Sequence, residues 1–166
     1  MTLGDVAVGA KILIDAYIFV YACTPDPIFG PPCIHFFDCV RRAELDGAVT
    51  AHALSEPAHR IMSIEACATF GWSYKGIAAR MKTHPAKLRQ LDRHRQAISE
   101  IMSWGVRVLP IDGSDVRDAA STSQTYSLLS GDTLTYSLML HHGFEHIASN
   151  DSDFDGLPRI SRYAPT

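Results

Sequence analysis

"KILIDAYIFVYA", residues 11–22, decides how the rest of the chain is read. One carboxylate, Asp15, stands inside this apolar run. A charge taken out of water without a partner is expensive, so Asp15 must either meet a counter-charge or leave the apolar environment. KILID is short and rich in Ile, and it reads as a buried strand with Asp15 at its carboxyl end. The run from Val6 to Cys23 is long enough to suggest a membrane span, but Lys11 and Asp15 interrupt it. A charge at the bilayer centre is costly, so no membrane association is expected.

Outward from this strand, apolar periods and turn residues alternate. "CTPDPIFGPP" (23–32) reads as a loop, dense in Pro and Gly. "CIHFFDCVRRAEL" (33–45) has helical spacing, with Ile34, Phe37, Val40 and Leu45 on one face. Asp46-Gly47 reads as a turn, and "AVTA" (48–51) as a second strand. "ALSEPAHRIMSIEACATF" (53–70) reads as a helix capped by Ser55, with Pro57 tolerated in its first turn. A start nearer His52 would put Pro57 in the interior and kink the helix. Residues 71–105 read as mostly helical with a break at Thr83-His84-Pro85, and "VRVLPI" (106–111) as a third strand. Asp112 or Ser114 can cap the next helix. "GDTLTYSLMLHHG" (131–143) is a further helix, ended by Gly143. "HIAS" (146–149) is a strand, "NDSDFDGLP" (150–158) a loop, and "RISRYAP" (159–165) a last short strand.

Strands that alternate with helices predict a parallel α/β sheet. The 166 residues suit one domain, 1–166. A net charge of −3, from 15 Lys and Arg against 18 Asp and Glu, lacks the overall basic footprint of a general nucleic-acid binder. Any polyanion must therefore be met by a local basic surface. Cys23, Cys33, Cys39 and Cys67 contain no Cys-x-x-Cys pair. Cys33-x-His35-x3-Cys39 has no second pair downstream, and free thiols in a reducing cytoplasm are expected rather than zinc ligands. No signal-type layout opens the chain.

Parallel sheets place ligands at the carboxyl ends of their strands. Asp15 ends the first strand, Glu56 follows the second, Asp132 opens the helix before "HIAS", and Asp151 follows that strand. Each alone reads as a cap or turn acid. Together they predict one acidic edge. Clustered carboxylates repel one another unless a cation sits among them, and oxygen-only donors suit Mg²⁺ or Mn²⁺. Such an ion supports phosphodiester hydrolysis.

The same residues carry a family resemblance. "ILIDAYIFVYA" resembles the opening strand of PIN-domain ribonucleases, "VTAHALSEPAHRIM" their second acidic motif with Glu56, "LLSGDTLTYSLMLHHG" the third with Asp132, and "HIASNDSDFD" the fourth with Asp151. The middle section and the ending "ISRYAP" are similar to the VapC toxin branch. The resemblance implies a doubly wound parallel sheet flanked by helices, with a helical insertion after the second acidic motif. It implies a metal-dependent endoribonuclease with Asp15 and Asp132 closest to the Mg²⁺ or Mn²⁺ and Glu56 and Asp151 completing the set. It further implies an RNA substrate, a homodimer and a VapB-type antitoxin. Asp153 is a second candidate for the fourth acid, ranked below Asp151. Tyr17 stands where the family has a small polar residue, and Pro57 follows the second acid. These two departures motivate the alternative of a non-catalytic PIN-type RNA-binding module. Asp15 as a phosphotransfer nucleophile is a third and weaker reading, because Tyr17 occupies the place of its second acid.

Lys75, Arg80, Lys82, Lys87 and Arg89 begin a basic stretch that continues to Arg95, with Asp92 its one acid. It is the expected source of RNA phosphate contacts, with Trp72 and Tyr74 beside it for base stacking. The bland alternative is a solvated helical face. A helix-end role is expected for His141 and His142, and His59 is expected to lie near Glu56.

Overall fold

The computed structural model describes residues 1–166. The first strand, β1 (Lys11–Ile14), buries Ile12, Leu13 and Ile14. The rest of the opening apolar run, beyond the strand that Asp15 ends, is helix α1 (Ala16–Cys23). The switch happens at Asp15, whose carboxylate accepts the Ala16 N–H at 2.7 Å and caps the new helix. Both faces of the opening stretch are apolar because both elements are buried, so periodicity does not separate them.

Helix α2 (Gly30–Arg41) begins three residues earlier than its spacing predicts. Pro31 and Pro32 fall in its first turn, where no backbone donor is required. Strand β2 (Asp46–Thr50) includes Asp46 and Gly47, so the predicted turn there is wrong. The chain reverses just before, where Ala43 takes φ 56° and the Glu44 N–H reaches Cys39 O. Gly47 is small for a packing reason: a Cβ there would lie 3.1 Å from Ile14 Cδ1 and 3.1 Å from Val40 Cγ1.

Helix α3 (Ala51–Phe70) starts directly after β2. Thr50, not Ser55, is the cap, accepting the Ala53 N–H at 3.0 Å. Pro57 is therefore interior, and it removes the donor that would meet the Ala53 carbonyl. Short helices follow: α4 (Ile77–Thr83), α5 (Pro85–Leu88) and α6 (Arg93–Ser103). They form the expected insertion, broken at His84 as the sequence suggests. Then come β3 (Arg107–Leu109), α7 (Gly113–Tyr126), α8 (Ser130–His142), β4 (His146–Ala148) and β5 (Ser161–Tyr163). Asp112 caps α7 through the Ser114 and Asp115 N–H groups.

All five strands are parallel, in the order β3-β2-β1-β4-β5. The α/β expectation holds in a doubly wound form. One face of the sheet carries Ile12, Ile14 and Val49 against Phe19, Phe36 and Phe37 of α1 and α2. The other carries Leu13, Ala48 and Ile147 against Met139 and Phe144. A smaller cluster of Ala66, Ile77, Met81 and Leu91 fastens the insertion to the far half of α3. No helix is long and apolar enough to cross a membrane.

The strand order reverses between β1 and β4, which pair directly: Ile12 opposite His146, Leu13 opposite Ile147 and Ile14 opposite Ala148. A crevice opens at the carboxyl ends of such a pair, because the chains leaving the two strands turn to opposite sides.

Candidate metal centre

Asp15 and the turn after β4 meet in that crevice. The Asp15 N–H still belongs to the sheet, donating to Ala148 O at 2.9 Å. Its side chain accepts from Ala16 N on one oxygen and from Ser149 Oγ, at 2.8 Å, on the other. Ser149 is fully buried, and its Oγ also accepts the Asp151 N–H at 3.0 Å. One hydroxyl therefore ties the first acid to the fourth. Nothing in the sequence marks Ser149, because a lone Ser after a strand is an ordinary turn residue.

Beyond Ser149 the chain makes a single tight turn, Ser152–Phe154, capped by Asp151, which accepts the Asp153 N–H at 2.9 Å. The buried Phe154 anchors the turn, and Arg162 of β5 holds it from the side. Arg162 donates to the Ser149 carbonyl at 3.2 Å and makes a paired contact with the Asp155 carboxylate at 2.8 and 2.7 Å. Asp155 is thus engaged by Arg162, and this lowers its pKa.

Asp132 approaches from the first turn of α8. One carboxylate oxygen from each of Asp132, Asp151 and Asp153 lies within 4.8 Å of the other two. Asp153, the lesser candidate, is thus part of the tightest acidic group. Asp15 lies outside that trio, joined to it through Ser149. Glu56 stands at the margin, half exposed, 3.5 Å from His52 Nε2. His52, one turn before Glu56 on α3, is the histidine in contact with it.

The electrostatics follow from this crowding. Burial is the main cause that pushes the Asp15 carboxyl up to about 6. The hydrogen bonds from Ser149 and Ala16 pull it back, and the charges of Glu56 and Asp132 raise it further. Burial also raises Asp132, with Asp151, Asp153 and Glu56 adding to the rise. The group is thus short of positive charge. The donors are all carboxylate oxygens, which fits a hard divalent cation such as Mg²⁺ or Mn²⁺. Asp132, Asp151 and Asp153 have the spacing to hold it, with Asp15 alongside.

A cavity of about 280 Å³ opens on this edge, lined by Asp15, Tyr17, Tyr21, Asn150, Asp151 and Ser152. Asn150 donates to Tyr21 Oη at 3.1 Å. Tyr17 reaches into the opening from the first turn of α1.

The basic stretch is arranged unevenly. Lys75, Lys82 and Arg89 are exposed. Arg80 and Lys87 lie over the Trp72 ring at 5.8 and 5.2 Å, and Trp72 in turn packs on Phe70. For these two cations and Trp72, packing accounts for much of their placement. A cation that the sequence reading passed over, Arg60, is closer to the acids in the chain, one turn after Glu56. It donates to Tyr74 Oη at 3.2 Å.

Comparison with known proteins agrees with this fold. Residues 37–160 match the family model of the PIN domain, a span that takes in Glu56, Asp132, Asp151 and Asp153 and begins after Asp15. No curated protein matches the chain in sequence. Three solved structures resemble it in fold, each over 93 % of this chain. The VapBC2 complex from Rickettsia felis, bound to a DNA fragment from its promoter, matches over 98 % of its own chain with a TM-score of 0.61 and 11 % identity. A toxin-antitoxin complex from Klebsiella pneumoniae matches over 98 % of its own chain, with a TM-score of 0.55 and 15 % identity. FitAcB from Neisseria gonorrhoeae matches over 97 % of its own chain, with a TM-score of 0.55 and 15 % identity.

Proposed function

The chain belongs to the PIN domain family, and on that premise we propose that it is a Mg²⁺- or Mn²⁺-dependent endoribonuclease. The observation that carries this reading is the group of three carboxylates within 4.8 Å, with Asp15 tied to it through Ser149. In this reading Asp15, Asp132, Asp151 and Asp153 hold the cation, and Glu56 orients water at the rim. When bound, the cation supplies positive charge against the phosphodiester and acidifies water. The side chains hold that arrangement rigid: Ser149 fixes Asp15 relative to Asp151, and Arg162 fixes the turn that carries Asp151 and Asp153. Water attacks phosphorus and the bond to the 3′ oxygen breaks, leaving a 5′-phosphate and a 3′-hydroxyl.

The test is cleavage of RNA with Mg²⁺ or Mn²⁺, with end analysis of the products. Loss of cleavage in EDTA and in Asp15→Asn is expected. Cleavage that persists in EDTA, or full activity of Asp15→Asn, would overturn the mechanism.

We further propose that it is the toxin of a toxin-antitoxin pair, acting as a homodimer in the cytoplasm and held by a VapB-type antitoxin. The solved structures that share its fold, one of them a toxin-antitoxin complex by name and another VapBC2, support this. An apolar groove of about 490 Å³ beside Asp132, lined by Val116, Leu128, Leu129 and Leu134, supports a protein partner close to the acids. The second reading, a non-catalytic RNA-binding module, draws on the bulk of Tyr17 at the mouth of the cavity. Calorimetric titration separates the two, since a module without a metal shows no Mn²⁺ binding at millimolar concentration.

A further inference from the structure

We propose that Tyr17, Arg60 and Tyr74 form a nucleotide subsite beside the acidic group, which takes one unpaired RNA base against Tyr17 and an adjacent phosphate on Arg60. The proposal rests on the ribonuclease reading and adds to it the conformation of the substrate and the residues that select it. Tyr17 is 36 % exposed and lines the same cavity as Asp15 and Asp151. Its side chain is therefore not a core element, and its hydroxyl makes no hydrogen bond within the chain. The second position after the capping acid needs no large aromatic for helix formation.

Arg60 reaches this ring from α3. Its guanidinium carbon lies 5.2 Å from the Tyr17 ring centroid, and one nitrogen donates to Tyr74 Oη at 3.2 Å. The side chain is thereby pinned between two tyrosines. A guanidinium has several N–H donors in a fixed fork, and this one uses a single donor within the protein, so the others are left for a ligand. The comparable cation on the opposite side, Arg162, is engaged by Asp155. An edge built of carboxylates repels a polyanion, and Arg60 is a fixed positive group beside it. Cation and aromatic ring together match the two halves of a nucleotide, a phosphate and a base. A base inside a duplex keeps its faces stacked on its neighbours, so the ring selects unpaired RNA.

The experiment uses the full chain carrying Asp15→Asn with Mg²⁺ present, so that binding is read without turnover. The probe is a single-stranded oligoribonucleotide containing 2-aminopurine, whose fluorescence is quenched by stacking. Quenching on binding is expected, with loss of the quench and about tenfold weaker binding when Tyr17→Ala is added. Tyr17→Phe retains both, and Arg60→Gln weakens binding and lowers the salt slope by about one phosphate contact. A duplex of the same sequence binds alike with and without Tyr17→Ala. The absence of oligoribonucleotide binding, or an unchanged quench and affinity in Tyr17→Ala, would overturn the proposal. Failure here is distinct from failure of the ribonuclease reading. Metal-dependent cleavage by the wild-type chain, with Tyr17→Ala indifferent, removes the subsite alone. Binding through Tyr17 without cleavage by the wild type removes the enzyme alone.

Discussion

Asp15 and Ser149 set the chemistry of the acidic edge at the level of single side chains. Asp15 in the folded chain titrates at about 6, against 3.8 in its ordinary state. Between about pH 4 and 6 the folded chain therefore holds more protons than the unfolded one. The Asp15 contribution to stability is present below this window and is lost as pH rises through it, by at most about 3 kcal/mol. Without metal, Asp15→Asn should unfold at a higher temperature than wild type at about pH 7.5, with the gap closing toward pH 5. Thermal melts in EDTA at several pH values measure this, and addition of Mn²⁺ should stabilise the wild type alone. Ser149→Ala is expected to cost about 1–3 kcal/mol, because the Asp15 carboxylate loses a donor and the Asp151 N–H loses its acceptor. The same change should weaken Mn²⁺ binding in calorimetry, since Asp15 and Asp151 lose their shared tether. Asp15 was legible in the sequence because a charge inside an apolar run demands a reason. Ser149 was not, because its role exists only after β1 and β4 become neighbours.

Among the elements, α3 and the turn after β4 do most of the positioning. Thr50 starts α3 at the end of β2, which carries Glu56 to the rim and Arg60 to Tyr17. Ser55 and Pro57 together imitate a helix start, and the true cap is outweighed in the sequence by its strand context. Thr50→Val, which removes the capping oxygen, is expected to cost about 1 kcal/mol in denaturant unfolding. The turn at residues 149–155 depends on Arg162, a residue of β5 on the edge of the sheet. Arg162→Ala should speed amide hydrogen exchange across residues 150–155 and reduce RNA cleavage, while the amides of β1 and β2 keep their protection. Unchanged exchange in that turn would show that Phe154 alone holds it.

For the whole molecule, the reversal of strand order brings the acids together. They come from positions 15, 132, 151 and 153, and no local pattern links the first to the others. The apolar groove between α7 and α8 leaves Leu129 and Val116 exposed at 76 % and 55 %. If a partner covers this face, Leu129→Asp should abolish co-purification with a co-expressed antitoxin while metal-dependent cleavage persists. Light scattering before and after the same change reads whether the proposed homodimer forms and uses that face.

The sequence by itself determined the α/β alternation, the acidic residues, the mostly helical stretch over 71–105 and the helix end at Gly143, and it left the cap of α7 to Asp112 or Ser114. Each of these is written in periodicity or in residue types with strong local preferences. Only the tertiary structure decided that the opening run splits into strand and helix, because buried strand and buried helix are equally apolar. It alone showed that Asp46-Gly47 is strand, since Gly47 answers to Val40 and Ile14 rather than to a turn. It also showed which carboxylates lie nearest one another, with Asp153 beside Asp132 and Asp151 and with Glu56 against His52. Distances between elements depend on how the sheet is wound, and one chain's residue order does not encode them locally.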